Sequence, residues 1–428
     1  MQVTKKNLEK SQIELTVELT AEEFKPYIEK GVKKLSEEMK IEGFRPGKAP
    51  FEVLKQKIGE ITILEESARI AINKTVETAI KENSDEQIVG QPQVDIIKLA
   101  PNNPLIYKIT FSVLPEVTLG NYKDFKIKKE KTETTNEEVD KVIDNLRDSR
   151  AKEIIADREI KEGDKVIADI DVFLDNVPIE GGQGKGTAII IGKDYLIPGF
   201  DKKIIGAKKE ESREFSLPYP KDHYQTNLAG KMVLFRTKIK EIYERQLPEI
   251  NDELAKNFGL KNIEEMKKNI KDSLEQEKDQ KAEQEAEIKI FDKILEKTKF
   301  GDMPEVLVDH EVKTMMAELE QTITSRGGKF SDYLASIKKT SNELTLDLLP
   351  NAVKRVKTAL IVRQISLEEK IKVDEKEIDE KIEELLKQYK GYAKVEERVK
   401  EPAYRGYLEN SLTNKKVLEK LKEWNLEK

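Results

Sequence analysis

The residues with the clearest capacity for chemistry lie in the stretch G-F-R-P-G-K-A-P, which runs from Gly43 to Pro50. Its two glycines and two prolines cannot continue a helix, so the stretch is predicted to be a tight loop. Phe44 can insert an apolar ring into a partner, and Arg45 and Lys48 can pair with phosphate or carboxylate. This combination favours non-covalent docking. A plain connection between two helices is the alternative.

The composition excludes several kinds of site. The chain has 428 residues, no cysteine and two histidines, His223 and His310. No disulfide, thiol nucleophile or thiolate metal site can form, and neither histidine has a partner at ligand spacing. We therefore expect no metal and no cofactor. A net charge of -6, from 77 basic and 83 acidic residues, means that any RNA contact must be local.

The balance of residue types predicts several domains with much solvated surface. Charged residues make up 37% of the chain, well above the roughly 25% of an average globular domain. No stretch approaches the roughly 18 apolar residues that span a bilayer. We expect a soluble, cytoplasmic protein with no membrane partner.

The predicted loop needs elements on both sides to position it. A strand from Gln12 to Leu19 alternates apolar and polar residues, and Thr20 and Glu23 form a capping box that begins a helix leading to the loop. Gly90-Gln91-Pro92 is predicted to break the pattern that follows. The further elements expected are helices over 51–58 and 61–80 and strands over 94–99 and 105–114. Together they predict a compact α+β domain over residues 1–115.

The sequence pattern changes after this domain, from mixed helices and strands to a single helix followed by short strands. A capping box at Thr135 and Glu138 predicts a linker helix over residues 136–156. Short β runs separated by turn residues then predict a small β domain. These runs cover residues 165–173, 187–191, 212–217 and 232–242. The glycine-rich run 182–187 lacks phosphate-loop spacing and is predicted to be a flexible surface loop.

Helical periodicity dominates the rest of the chain. Narrow apolar stripes among many Lys and Glu residues predict arms around a cradle rather than one globular core. The helices are expected over 262–299, from Pro304 to the stop at Gly327-Gly328, and over 350–370, 375–390 and 403–424.

The G-F-R-P-G-K-A-P stretch closely resembles the ribosome-binding signature of the bacterial trigger factor family. Further motifs follow in the order of that family's FKBP-type peptidyl-prolyl isomerase domain, of which I-P-G-F at Ile197–Phe200 is the most specific. The others are Gly163-Asp164-Lys165-Val166, Glu180-Gly181-Gly182 and Leu228-Ala229-Gly230-Lys231. The resemblance covers nearly the whole chain.

This resemblance implies a multidomain α+β protein. It implies an α+β ribosome-binding domain over 1–115 and, over 116–156, a linker strand and helix that pack with the C-terminal domain. An FKBP-like β domain with one short helix would follow over 157–245, then an all-α chaperone domain over 246–428.

The implied function is that of an ATP-independent chaperone for nascent chains. It would bind protein and rRNA of the large ribosomal subunit at the tunnel exit, hold unfolded polypeptides, and form a homodimer when off the ribosome. The docking residues implied are Gly43, Phe44, Arg45, Gly47 and Lys48. A free isomerase and a non-enzymatic ribosome-assembly factor are the alternatives.

The resemblance also implies an isomerase pocket that desolvates and twists the X-Pro amide without a nucleophile. The residues that would form it are Ile179, Ile197, Phe200, His223, Tyr224 and Phe235. Ile170, Ile179, Thr187 and His223 fall where the family usually has aromatic residues, which predicts weak turnover. A simple β core without a proline pocket is the alternative.

Client contact is expected in the helical arms, because flexible apolar side chains can re-pack against varied sequences. The candidates are Met315, Met316, Leu319, Ile323, Val353, Leu360 and Ile361. Apolar residues at helical spacing are more often core, so burial of individual members is the alternative.

Overall fold

A computed structural model describes residues 1–39, 41–130, 133–175, 177–220 and 228–427. The chain forms two compact units, one made of Met1–Lys129 with Gln284–Lys428 and the other of Glu130–Glu283. Helices and sheets occur in both halves of the chain, which confirms the predicted multidomain α+β class. Across these described ranges, no helix is long and apolar enough to cross a membrane.

The N-terminal part of the first unit packs helices on an antiparallel sheet. The sheet has the order β1-β2-β4-β3. Ile13, Leu15 and Val17 of β2 point into its core, as their alternation predicts. α1 begins at the predicted capping box of Thr20 and Glu23. The elements are β1 (Gln2–Leu8), β2 (Gln12–Leu19), α1 (Ala21–Glu38), α2 (Phe51–Ile58), α3 (Glu60–Asn83), β3 (Ile88–Lys98), β4 (Leu105–Val113) and β5 (Val117–Thr118).

Two strands in this sheet differ from expectation. β1 is mostly polar and exposed, so it carries little hydrophobic signal, yet it pairs with β2 along its whole length. β3 begins at Ile88 and continues through Gly90 and Pro92. The prediction that Gly90-Gln91-Pro92 breaks the pattern is therefore wrong. The register with β4 shifts between Val89 and Gln93, and such a bulge accommodates both residue types.

The second unit is built around a five-stranded antiparallel sheet. β10 pairs with β6, β7 and β9, and β7 pairs with β8. The elements are α4 (Asn136–Asp148), β6 (Lys152–Ile155), β7 (Lys165–Leu174), β8 (Val177–Ile190), α5 (Phe200–Ile204), β9 (Ser212–Pro218) and β10 (Met232–Gln246).

Two predictions for this unit are wrong. The linker helix ends at Asp148 and not at residue 156, because residues 152–155 pair with the end of β10 and the Ala156 amide donates to the Ile242 carbonyl at 2.9 Å. Residues 182–187 are not a free surface loop, because they lie within β8 and Gln183 and Gly184 pair with β7.

Helices make up most of the remaining chain. α10 begins at Ser341 rather than at Pro350, because Thr340 and Glu343 form a capping box and the helix continues through Pro350. β11 pairs with β5, which joins this part of the chain to the N-terminal part of the first unit. The elements are α6 (Asp252–Lys256), α7 (Ile263–Lys297), β11 (Lys299–Phe300), α8 (Glu305–Ser325), α9 (Phe330–Ser336), α10 (Ser341–Glu368), α11 (Glu375–Gln388), α12 (Ala393–Val399) and α13 (Pro402–Asn425).

Candidate functional site

Residues 41–50, which we call the finger, form a loop that is fixed at its base. The Gly47 amide donates to the Ser36 carbonyl at 3.0 Å, and the Ala49 amide donates to Ser36 Oγ at 3.1 Å. Ile41 and Ala49 are buried in a small core beneath the loop, together with Leu54 of α2. The finger therefore projects from a rigid seat at the end of α1.

The tip of the finger presents the residues that the sequence singles out. Gly43 and Gly47 have φ angles of 82° and 77°, which side chains with a Cβ rarely adopt. Phe44 is 40% exposed, although large aromatic side chains are usually buried. Arg45 and Lys48 are exposed and have no ion-pair partner within the described ranges. This arrangement can insert one ring and neutralise two negative charges at a single contact point.

A pocket of about 400 Å³ opens on the sheet of the second unit. Its walls come from β7, β8, β10, the segment that leads into α5, and the end of β9. The lining residues are Ile170, Val172, Ile179, Gly181, Gly182, Gln183, Gly184, Thr187, Tyr195, Leu196, Ile197, Tyr219, Leu228 and Phe235. This lining, as far as the described residues define it, contains no acid, base or thiol. The pocket can therefore act by desolvation and shape.

Stacked aromatic rings form the floor of this pocket. The Phe235 ring lies parallel to that of Tyr219, with 6.4 Å between centroids and an interplanar angle of 6°. Phe200 meets Phe235 edge-on at 5.4 Å and is fully buried, but it does not line the pocket. Phe215 stacks on Phe235 at 5.8 Å. Phe200 and Phe215 thus fix the orientation of Phe235 from behind.

Sequence reasoning found part of this pocket. Ile179, Ile197 and Phe235 line it, whereas Phe200 supports it, and His223 and Tyr224 lie outside the described residues. Tyr195 and Tyr219 were missed. The signal for Tyr219 was the alternation of Phe215, Leu217 and Tyr219, which places all three side chains on one face of β9 and its continuation.

Buried and charged groups hold the loops around the pocket. The carboxylate of Asp201, which is 2% exposed, accepts from the Gly192 amide at 2.7 Å and the Asp194 amide at 2.9 Å. The Gly186 amide donates to Asp169 at 2.9 Å, and this bond, with the nearby Lys240, lowers the pKa of Asp169 below its ordinary value. The turn before α5 and the glycine-rich part of β8 are therefore fixed by side chains.

The predicted client residues divide into two groups. Leu360 and Ile361 are 7% and 0% exposed, so they belong to the core of the arms and are not available for client contact. The other five are partly exposed: Met315, Met316, Leu319, Ile323 and Val353. Met315 lines a mostly apolar groove of about 750 Å³ with Phe291 and Ile288.

Three family models match successive parts of the chain. The model described as "Bacterial trigger factor protein (TF)" matches residues 1–146, and the model of its C-terminus matches residues 262–423. The model described as "FKBP-type peptidyl-prolyl cis-trans isomerase" matches residues 156–240, which contain the pocket. The finger lies within the first match.

Curated relatives match along nearly the whole chain. A trigger factor from Caldicellulosiruptor bescii is 32% identical over 417 residues, which are 97% of this chain and 94% of the relative. A trigger factor from Carboxydothermus hydrogenoformans is 34% identical over 391 residues, 91% of each chain. One from Clostridium botulinum strain Loch Maree is 31% identical over 427 residues, 99% of each.

A solved structure also resembles the chain, with a TM-score of 0.48 and 22% identity over 98% of this chain and 99% of that one. It is titled "Promiscuous Substrate Recognition in Folding and Assembly Activities of the Trigger Factor Chaperone". The identity to the curated relatives and the order of the matched models decide the family. The chain belongs to the bacterial trigger factor family, and its second unit contains an FKBP-type peptidyl-prolyl isomerase domain.

Proposed function

We propose that the chain is an ATP-independent cytoplasmic chaperone that docks at the tunnel exit of the large ribosomal subunit through its finger. The observation that carries this proposal is the exposed Phe44 between glycine turns, next to Arg45 and Lys48, which form no ion pair with any residue that the structure describes. An exposed ring on a fixed loop can insert into an apolar site of a partner, while the two neighbouring cations pair with negative charges at the same contact. Because the loop is already fixed, docking loses little conformational entropy.

The charge of the finger predicts reversible binding. Arg45 and Lys48 neutralise about one phosphate or acidic side chain each, whereas strong nucleic-acid binders make about 6 to 10 such contacts. The logarithm of affinity should then fall with the logarithm of salt concentration with a slope of about -2. A chaperone that cycles among ribosomes needs such release.

Co-sedimentation with 70S ribosomes over a salt series tests this proposal. We expect Phe44→Ala, Arg45→Ala, Lys48→Ala to abolish binding while its circular dichroism stays native. A matched control is Ile97→Ala, Lys74→Ala, Lys98→Ala, which removes one exposed apolar residue and two exposed cations elsewhere in the same domain. Equal pelleting of both triple variants would contradict finger docking and favour a free isomerase.

The isomerase pocket is proposed to act on X-Pro bonds of the same clients. Ile179, Ile197 and Phe235 would surround the proline ring, and Phe200 would position Phe235. His223 and Tyr224, which lie outside the described residues, stay candidates on the resemblance alone. Desolvation of the amide lowers a barrier of about 18 to 20 kcal/mol, because the twisted amide is less polar than the planar one. We expect weak turnover, since Ile170, Ile179 and Thr187 stand where the family usually has aromatic residues.

The rate of cis–trans isomerisation of short X-Pro peptides tests the proposed isomerase activity. Ile197→Ala should lower kcat/KM, whereas Val177→Ala, on the exposed start of β8, should leave it unchanged. No turnover by the intact chain would favour a simple β core.

Client holding is proposed for the groove that contains Met315 and Ile288, the latter 56% exposed. Its cations are already paired, Lys354 with Asp292 at 2.6 Å and Arg355 with Glu318 at 2.9 Å, so the groove favours apolar client segments. Met315→Ser, Ile288→Ser should reduce protection of an unfolded protein from aggregation. An intact chain that gives no protection would favour a ribosome-assembly factor.

A further inference from the structure

Residues 389–407, which we call the arm tip, connect the end of α11 to the start of α13 and are rich in tyrosine. The whole chain has 12 tyrosines, and a third of them fall in this short segment. They are Tyr389, Tyr392, Tyr404 and Tyr407. None of the docking, isomerase or client proposals uses them.

The arm tip is the ordered turn of a helical hairpin. Leu385, near the end of α11, and Tyr404, near the start of α13, pack against the same small core, so the two helix ends lie side by side. α12 joins them, and its Val399 is buried. The Gly391 amide donates to the Glu396 carboxylate at 2.8 Å, which fixes the turn between the first two tyrosines.

The rings of the arm tip face solvent. Tyr392 is 66% exposed and Tyr407 is 62% exposed. Tyr389 meets Tyr392 edge-on with 6.5 Å between ring centroids, and Tyr404 is tilted against Tyr407 at 5.6 Å. The structure describes the whole segment, and every exposed large apolar side chain in it is a tyrosine. The arm tip therefore offers aromatic surface on which planar groups can stack.

The charges around these rings are mostly positive. The segment has five basic and three acidic residues and thus a net charge of +2, whereas the whole chain has -6. Arg405 is paired with Asp379, and Glu396 accepts from the Gly391 amide. The other four cations are exposed and form no ion pair with any residue that the structure describes: Lys390, Lys394, Arg398 and Lys400.

Neighbouring acidic residues leave this excess of positive charge in place. In α11, Glu383 is paired with Lys387 at 3.7 Å and Glu384 with Lys381 at 2.7 Å. Glu409, just beyond the segment, lies near the paired Arg405. The two acids left within the arm tip are Glu397 and Glu401, against four free cations. A ligand that fits this surface carries several negative charges and planar rings.

We propose that the arm tip binds single-stranded RNA, with bases stacked on Tyr392 and Tyr407 and backbone phosphates paired with the four free cations. Every base has a flat face, so such stacking tolerates varied sequences. An apolar client segment fits less well, because it cannot pair with the cations that surround the rings. The choice of RNA rests on the proposed ribosome docking, which places the chain among RNA.

Fluorescence polarisation of a labelled single-stranded RNA of about 12 nucleotides, titrated with the full chain, tests this proposal. If four phosphates are neutralised, the logarithm of affinity should fall with the logarithm of salt concentration with a slope of about -2.8. A duplex of the same length should bind much more weakly, because its bases are stacked on each other and cannot reach the tyrosines.

Two double variants test the stacking. Tyr392→Ala, Tyr407→Ala should weaken RNA binding at least about 25-fold, because each stacked base contributes about fivefold or more. Tyr392→Phe, Tyr407→Phe keeps both rings and should keep the affinity. Both rings are largely in solvent, so circular dichroism should stay native in both variants.

Two further variants test the charge. Lys394→Glu, Lys400→Glu should weaken binding and flatten the salt dependence, because two phosphate contacts are lost. Lys376→Glu, Lys415→Glu is the matched control, since it makes the same change of charge on exposed lysines of α11 and α13 at the other end of the hairpin. The control should bind RNA like the wild type.

Several results would overturn the proposal. They are a wild-type chain that does not bind the RNA, equal binding of the duplex, an alanine variant that binds like the wild type, a phenylalanine variant that loses as much as the alanine variant, and equal losses in the two lysine variants. Binding of a labelled acidic peptide in place of RNA would assign the arm tip to a protein partner.

The finger triple variant, Phe44→Ala, Arg45→Ala, Lys48→Ala, separates this inference from the docking proposal. It should lose co-sedimentation with 70S ribosomes and keep its affinity for the RNA. Loss of RNA affinity in this variant would assign RNA binding to the finger and overturn the inference. If the intact chain does not pellet with ribosomes but binds RNA through the arm tip, ribosome docking fails and the inference stands.

Discussion

The finger and the proline pocket place a phenylalanine in opposite environments. Phe44 is 40% exposed on a loop, whereas Phe235 is 2% exposed among three other aromatic rings. The finger's contact residues all lie within residues 43–48, while the pocket draws its lining from residues 170–235. Substitution of an exposed contact residue should have little effect on the free energy of unfolding. Substitution of a residue that belongs both to the pocket floor and to the core should lower it.

The largest expected effect is on folding and comes from Phe235→Ala. Removing a buried phenylalanine leaves a cavity, so the second unit should lose about 3 to 5 kcal/mol of unfolding free energy. Phe44→Ala, as the matched change in the finger, should stay within about 0.5 kcal/mol of wild type. Chemical denaturation of the full chain measures both. Equal losses would mean that Phe44 is also a core residue.

A smaller effect is expected from the tyrosine that sequence reasoning missed. Tyr219→Ala removes the ring stacked on Phe235 and should lower kcat/KM on an X-Pro peptide about two- to tenfold, given the roughly 0.5 to 1.5 kcal/mol of an aromatic pair. Tyr219→Phe keeps the ring and serves as control. If the phenylalanine variant loses as much, the hydroxyl rather than the ring is needed.

One glycine in each region has a left-handed backbone, although a Cβ at Gly47 would also come within 2.9 Å of Glu37 Cγ, whereas a Cβ at Gly181 would meet no atom within 4 Å. Gly47 in the finger and Gly181 in the pocket wall have φ angles of 77° and 75°. Alanine at either position should cost about 1 to 2 kcal/mol of left-handed strain. Gly47→Ala should weaken co-sedimentation of the protein with ribosomes and leave X-Pro turnover unchanged. Gly181→Ala should lower X-Pro turnover and leave co-sedimentation unchanged. Loss of both activities in one variant would show that strain spreads between the regions.

The smallest expected effect is a pH dependence confined to the pocket. The bond from the Gly186 amide lowers the pKa of Asp169, so its stabilising contribution is present above the ordinary value of about 3.8 and is lost as pH falls through the lower folded value. Between pH 5 and pH 3 the wild type should therefore lose more thermal stability than Asp169→Asn. The titration of the melting temperature measures this, and parallel curves would rule it out.

The same contrast explains how far the sequence could lead. The finger was predictable because glycine, proline, phenylalanine and the two cations act within eight residues, where local rules hold. The capping boxes at Thr20 and Thr135 located two helix starts for the same reason. These features depend on neighbours along the chain rather than on packing.

The elements that the sequence did not predict depend on contacts between segments that are distant along the chain. β1 and β6 show no strong hydrophobic pattern and exist because β2 and β10 offer them free edges. The glycine-rich part of β8 lies in the pocket wall because it pairs with β7. Leu360 and Ile361 are buried because their helix packs against its neighbours. Such contacts join residues distant in sequence, which local periodicity does not contain.

Whether the finger and the proline pocket act independently is tested by measuring both activities in two single variants. Phe44→Ala and Phe235→Leu are each assayed for 70S affinity and for X-Pro turnover, with the leucine chosen to keep the core filled. We expect Phe44→Ala to lose ribosome affinity with full turnover, and Phe235→Leu to lose turnover with full ribosome affinity. Loss of both activities in either variant would contradict two independent sites.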